Sequence, residues 1–312
     1  MNIPSASNAP LGVTATSLIL FLSILWSLGS VSMKVTVLGI SPVMSSGLRS
    51  MGAAILVFAW MLILSKPVFI RDRTFWPGLL AGLLFAVEFS CIYLALTHTT
   101  AARVTVFVFT APFFVSLGGH FFIEGERLNK GKMLGLSCAF AGVFVAFAEG
   151  FFATDGQATL LGDSLALFAG ALWGLTTLTV KMTRLATISS ERVLLYQHVV
   201  AGVLLIPFSI LIGEKGIFNP TLLVMGLLAF QTIIIAAISY LAWFHMLTKY
   251  SATRLSAFTL VSPVAGVFFG WLLLNETVSP QLGLAVFLVA YGIWRVNREP
   301  ATTVSASAAN TQ

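Results

Sequence analysis

The chain is written twice. Residues 96–112 read LTHTTAARVTVFVFTAP and residues 247–263 read LTKYSATRLSAFTLVSP. Leu96, Thr97, Ala101, Arg103, Phe107 and Pro112 recur as Leu247, Thr248, Ala252, Arg254, Phe258 and Pro263, at a constant offset of 151. Leu25, Trp26, Leu28 and Lys34 recur as Leu172, Trp173, Leu175 and Lys181, at an offset of 147. One loop insertion between the two sets of landmarks accounts for the drift. A duplicated chain folds as two related halves, and both copies here lie in long apolar runs. The architecture this leaves open is a polytopic membrane bundle whose halves can rock about a site between them.

The runs are too long and too numerous for a single water-soluble core. Only 9% of the 312 residues are charged, against roughly 25% in a soluble domain. A spanning helix takes about 20 apolar residues. Ten such segments fit, at 17–37, 43–65, 76–97, 103–123, 131–149, 161–181, 192–212, 221–247, 254–274 and 280–297. Stretches such as LLVMGLLAFQTIIIAAISYLAWF do not alternate apolar with polar residues, so they do not read as barrel strands. The expected fold is therefore all-α and integral to the membrane, with ten transmembrane helices in two inverted five-helix repeats. Repeat 1 takes residues 17–149 and repeat 2 takes 161–297, with a periplasmic linker over 150–160. Residues 1–16 carry no Lys or Arg, which leaves the first span without the basic flank of a cleaved signal. The tail over 298–312 is polar and reads as disordered.

The net charge of +6 is spread over loops, a distribution that sets orientation and does not suit nucleic acid. With the N-terminus in the cytoplasm, 13 of the 17 basic residues fall on inner loops, and only Lys34, Arg49, Arg103 and Lys215 on the outer half. That bias places both termini in the cytoplasm. Five helices per repeat is an odd number, so the second half is inverted relative to the first. Cys91 and Cys138 lie within spans and read as reduced, buried thiols.

The residues resemble the EamA family of the drug/metabolite transporter superfamily. The likeness rests on Leu-Trp-Ser/Gly-Leu with a Lys eight residues after the Trp, an early Arg in the second span, and Pro112 followed by Gly125-Glu126-Arg127-Leu128. It rests also on their echo in Gly162-Asp163, Trp173, Pro263 and Asn275-Glu276-Thr277, and it covers about residues 15–297. The spacing from Pro112 to Glu126 is one residue longer than from Pro263 to Glu276, so the two loops differ in detail. The resemblance implies ten helices in two inverted repeats around a central cavity, and a secondary carrier of the inner membrane exporting amino acids, other metabolites or drugs.

Candidate cavity residues follow from the cost of polar groups inside a bilayer, roughly 2.5–3.5 kcal/mol for a charge at a helix centre. Glu88 stands mid-span among apolar neighbours. It is either a proton-coupling carboxyl or a clamp between helices. Arg49, near the outer end of the second span, can bind a carboxylate with its planar fork, pair with Glu88 or snorkel. Its repeat partner is Tyr196, so an anion site here would be asymmetric; neighbouring Gln197 and His198 read as helix–helix hydrogen-bonding groups. Gln231 matches Glu88 in depth, and either lines the cavity or bonds between helices. Trp26 and Trp173 sit deeper than interfacial Trp belts and are candidate walls. Pro112 and Pro263 interrupt the hydrogen-bond ladder of equivalent helices and are candidate hinges, with Thr110 and Ser262 beside them to cap freed carbonyls or line the cavity.

The four His residues form no HExxH or other ligand pattern, so a metal site and an intramembrane hydrolase find no support. The absence of a Walker motif gives none to direct ATP drive, and no charged ring or filter loop suggests a channel. The expected partners are the lipid bilayer, a small-molecule substrate (amino acid, metabolite or drug) and protons, with no cofactor. A lipophilic-cation efflux carrier is the alternative reading.

Overall fold

A computed structural model describes residues 12–68, 70, 72–122, 130–152, 159–249, 259 and 261–297. Among them the chain is helical, and the only extended pairing is an isolated antiparallel bridge between Ile40 and Ile217. The first half contains α1 (Val13–Thr36), α2 (Pro42–Ile63), α3 (Phe75–His98), α4 (Ala101–Val108), α5 (Ala111–Phe122) and α6 (Lys130–Phe152). The second contains α7 (Leu160–Met182), α8 (Ser190–Leu211), α9 (Leu222–Phe230), α10 (Tyr240–Lys249), α11 (Val261–Leu274) and α12 (Pro280–Asn297). Seven helical stretches are long and apolar enough to cross a membrane, with α4 and α5 together forming one of them. Shorter apolar helices over 133–148, 261–274 and 280–292 fall where the fifth, ninth and tenth spans are expected. The Gly125–Leu128 motif, the segment from Ala252 to Phe258 and both chain ends lie outside the described residues.

Two of the expected rods depart from ideal α geometry. The fourth breaks at Phe109–Thr110, just ahead of Pro112, whose missing N–H and ring bulk prevent the ladder from running through. The eighth is continuous from Leu222 to Lys249 but carries a nine-residue π-helical stretch, Gln231–Ser239. Nothing in the residue pattern announces that stretch.

Large apolar side chains on the outside, among them Phe21, Trp76, Phe144 and Leu222, face outward as a lipid solvent requires. The most extensive helix contacts cross between the halves and come in matched sets. α2 lies on α8, α4 on α11 and α6 on α12. The pairing of α1 with α11 is answered by α4 and α5 on α7, and that of α3 with α7 by α1 on α9 and the π stretch. Small residues bring these helices close. A Cβ on Gly202 would lie 2.9 Å from the backbone of Met51, and one on Gly82 would fall 2.5 Å from the Cβ of Val200. Gly47 meets Ile206 while Gly202 meets Met51, so α2 and α8 run antiparallel.

Carboxylates from the second half cap helices of the first. After α8, Gly213 adopts φ +76°, and the Gly213 and Glu214 amides bond back to Ile210 and Ser209 in a Schellman turn. That turn aims the Glu214 carboxylate at the start of α2, where it accepts from the Val43 and Met44 amides at 3.1 and 3.0 Å. Glu276, just past α11, does the same for α4, accepting from the Ala101 and Ala102 amides at 2.7 and 2.9 Å. Each anion meets the unpaired N–H groups and the positive end of the dipole together.

Candidate functional site

One turn of α2 carries Ser46, Arg49 and Ser50, all fully buried. Their spacing puts them on a single face of the helix, turned away from lipid because α2 is packed by α3, α8 and the π stretch. The guanidinium of Arg49 sits 4.0 Å over the ring of Phe89 and 6.0 Å from the ring of Tyr240. None of its three nitrogens has a hydrogen-bond partner among the described residues. The Tyr240 hydroxyl is near enough to interact with it, but not at the distance and angle of an ordinary hydrogen bond.

Glu88, beside Phe89 on α3, is 4% exposed. It lies within electrostatic reach of Arg49 without closing an ion pair, and its Oε2 has no partner. His198 of α8 completes the group. Its Nε2 is 3.2 Å from the Ala236 carbonyl in the π stretch, its ring meets Phe85 edge-on and stacks along Tyr240, and its Nδ1 is unpartnered. Because a carbonyl only accepts, Nε2 carries a proton, and in the neutral tautomer that this fixes Nδ1 is the acceptor. Arg49 is the hub of this cluster, in electrostatic reach of Glu88, Tyr93, His198 and Tyr240. Four elements drawn from both halves converge there.

The other sequence-derived candidates lie around this hub or away from it. Gln231 is fully buried and used at both ends: its carbonyl accepts from the Tyr93 hydroxyl and its amide donates to Thr36 Oγ1 at 2.7 Å. It ties α1, α3 and the π stretch together. Trp26 donates its indole N–H to Ser239 Oγ at 2.9 Å and meets Tyr240 and Trp243 edge-on. Trp173 meets Phe109 edge-on instead, so the two equivalent tryptophans have different surroundings. Thr110 Oγ donates to the Phe107 carbonyl at the helix break. Ser262 bonds to the Ser23 carbonyl and accepts from Ser27, which locks α11 to α1. Pro112 opens α5 and Pro263 lies in the first turn of α11.

Tyr196 does not join Arg49. In the antiparallel α2–α8 pair, position 49 lies opposite residues near 204, so Tyr196 is roughly 12 Å further along at about 1.5 Å per residue. Inversion sends repeat-equivalent residues to opposite ends of the bundle. Tyr196 packs on Gly78, and its hydroxyl lies 3.2 Å from Thr74 Oγ.

Each end of the bundle carries its own polar knot. At the end holding the α2–α3 loop, Lys66 pairs with Glu191 and Arg192 with Asp72. The Arg192 hydrogen bond, helped by that from Thr74, holds the Asp72 carboxyl well below the usual carboxylate range. At the other end the buried Arg103 binds Asp163 through Nε at 3.0 Å and also reaches the Ala146 carbonyl. Lys34 donates to the Leu96 and Thr99 carbonyls that close α3. Two of the basic residues assigned to the outer half, Lys34 and Arg103, are thus taken up by partners within the protein.

The helices long and apolar enough to cross a membrane are those of a polytopic membrane protein. The chain belongs to the EamA-like transporter family, whose profile matches residues 13–148 and 160–298. It is 26% identical over 277 residues to the uncharacterized transporter YoaV of Bacillus subtilis, covering 88% of this chain and 94% of that one. It is 29% identical to an uncharacterized transporter of Archaeoglobus fulgidus, over 84% and 90% of the two chains. It is 26% identical to a protein of Escherichia coli named "Probable amino-acid metabolite efflux pump", over 89% and 92%. A crystal structure 19% identical in sequence shares the fold, with a TM-score of 0.64 over 90% of this chain and 97% of that one.

Sequence reasoning did not single out Ser46, Ser50, Phe89, Tyr93 or Tyr240. The i, i+3, i+4 spacing of Ser46, Arg49 and Ser50 was the available signal for two of them. The others are aromatic residues in apolar runs, indistinguishable there from packing.

Proposed function

We propose that the chain is a secondary transporter that moves amino acids or related small metabolites across the inner membrane by alternating access, in the direction of export and coupled to protons at Glu88. The observation that carries this reading is the buried cluster of Arg49, Glu88 and His198, with unmet hydrogen-bonding capacity, where elements of both halves converge. A charged group deep in a membrane protein without a structural partner is a transport-site candidate by its cost alone. The matched helix pairs across the halves and the two blocks of the family match support ten spans in two inverted repeats. On this reading the repeats take residues 17–149 and 161–297, a periplasmic linker takes 150–160, and the segments 1–16 and 298–312 are cytoplasmic. Pro112 and Pro263 serve as hinges. The efflux pump named among the relatives supports an amino-acid substrate.

Glu88→Gln tests the reading. In proteoliposomes this variant is expected to lose pH-gradient-driven uphill flux while keeping exchange of substrate down its own gradient. If Glu88 is only a clamp, the purified variant loses melting temperature and its pH dependence per folded molecule stays as it was. Unchanged uphill flux removes Glu88 from the mechanism. The same assay on Pro112→Ala and Pro263→Ala should show slower transport by folded protein, and parental rates in both would reduce the prolines to packing features.

A further inference from the structure

Buried polar atoms without partners are rare in native proteins, and each implies something that satisfies it. Eight buried side-chain atoms among the described residues have none. Seven of the eight belong to five residues, Ser46, Arg49, Ser50, Glu88 and His198; the eighth, Arg192 Nε, lies in the ion pair with Asp72. The concentration is local, and its chemistry is lopsided. Arg49 offers five N–H donors and Ser46 and Ser50 a hydroxyl each, all from one face of α2. On the facing elements stand two groups that can accept, Glu88 Oε2 and His198 Nδ1.

We propose that Arg49, with Ser46 and Ser50, anchors a carboxylate of the transported molecule, so that the substrate is a carboxylic acid and not a lipophilic cation. This rests on the transporter reading and narrows its substrate class. A guanidinium fork is matched in plane and spacing to the two oxygens of a carboxylate, and the serine hydroxyls on the same face supply further donors. Phe89 holds the guanidinium in place through its ring face, which leaves the N–H groups free for a ligand. A cation would be repelled by Arg49 and would leave its donors unmet, the costly case for a buried charge. The facing acceptors suit a donor elsewhere on the same molecule, as an amino or hydroxy acid carries. The rings of Phe85, Phe89 and Tyr240 offer an apolar wall beside it.

The test uses matched pairs of acids and their decarboxylated amines on the purified full-length protein. The pairs are L-phenylalanine with 2-phenylethylamine and L-leucine with isopentylamine, together with 3-phenylpropionate and tetraphenylphosphonium. At least one carboxylate should raise the melting temperature while its amine counterpart does not. Arg49→Gln should weaken that binding tenfold or more. The Ser46→Ala/Ser50→Ala double variant, which only trims two buried hydroxyls, should weaken it threefold or more and carries the test if Arg49→Gln does not fold. Stabilisation by the amines or tetraphenylphosphonium alone, no response to any carboxylate, or carboxylate affinity untouched in the variants would overturn the proposal. Counterflow in proteoliposomes separates the two readings. Saturable counterflow of tetraphenylphosphonium without carboxylate recognition removes the carboxylate anchor and leaves the carrier. Carboxylate binding without counterflow of any probe leaves the anchor and removes the carrier.

Discussion

Gln231 shows how a buried amide can be held fully in use. Its oxygen and nitrogen meet Tyr93 and Thr36, on two other helices, and Thr36 in turn donates to Ser32. Interhelical hydrogen bonds of this kind contribute roughly 0.6–2 kcal/mol. Gln231→Leu is therefore expected to destabilise by about that amount, and Tyr93→Phe by a similar one. Because both break the same bond, the double variant should fall short of their sum; a fully additive result in detergent unfolding would show that the residues act separately. That Glu88 is buried is legible in the sequence, since a charge at the middle of a long apolar run has nowhere else to go; the burial of Arg49 is not, since a side chain of that length near the end of a span can also snorkel. That they share a cluster with His198 and Tyr240 is not legible, because it depends on which faces of four helical elements meet. The displacement of Tyr196 from Arg49 has a related cause: a repeat offset gives equivalence, and inversion turns equivalence into separation.

At the scale of elements, glycine placement distinguishes contact faces from lipid faces. A Cβ on Gly202 would press into the backbone of Met51, which has no flexible end to move aside, whereas one on Gly226 would meet nothing within 4 Å. Gly202→Ala should therefore push α8 off α2 and lower the melting temperature. Gly226→Ala should leave it unchanged or raise stability by up to about 1 kcal/mol, the helix-propensity difference between the two residues. Equal responses would mean that the α2–α8 approach is looser than described. Helix positions were legible because hydropathy marks them directly, and the break in the fourth rod because proline dictates it. The π stretch was not, since a ladder shifted to i→i+5 has no residue signature of its own. It matters to the site all the same: the Ala236 carbonyl that holds His198 and the Ser239 hydroxyl that holds Trp26 both belong to it.

For the whole molecule, charge and duplication make one joint statement about how it sits in the membrane. The reading with both termini in the cytoplasm is tested by cysteine labelling in a Cys-free background: a Cys at Ser307 should be protected in intact cells and one at Gly156 labelled, and the reverse pattern would sink the orientation. The halves are also bound to each other in time. The amide of Ala101 is answered by a carboxylate 175 residues further along the chain, and that of Val43 by one 171 residues further. At synthesis rates of 5–20 residues per second, roughly 9–35 s separate the making of each helix start from the making of its cap. During that interval the Val43, Met44, Ala101 and Ala102 amides are without the carboxylates that answer them in the folded chain. The first half is thus a waiting structure, and Glu276, the later of the two capping carboxylates to be made, is the one that ends the wait.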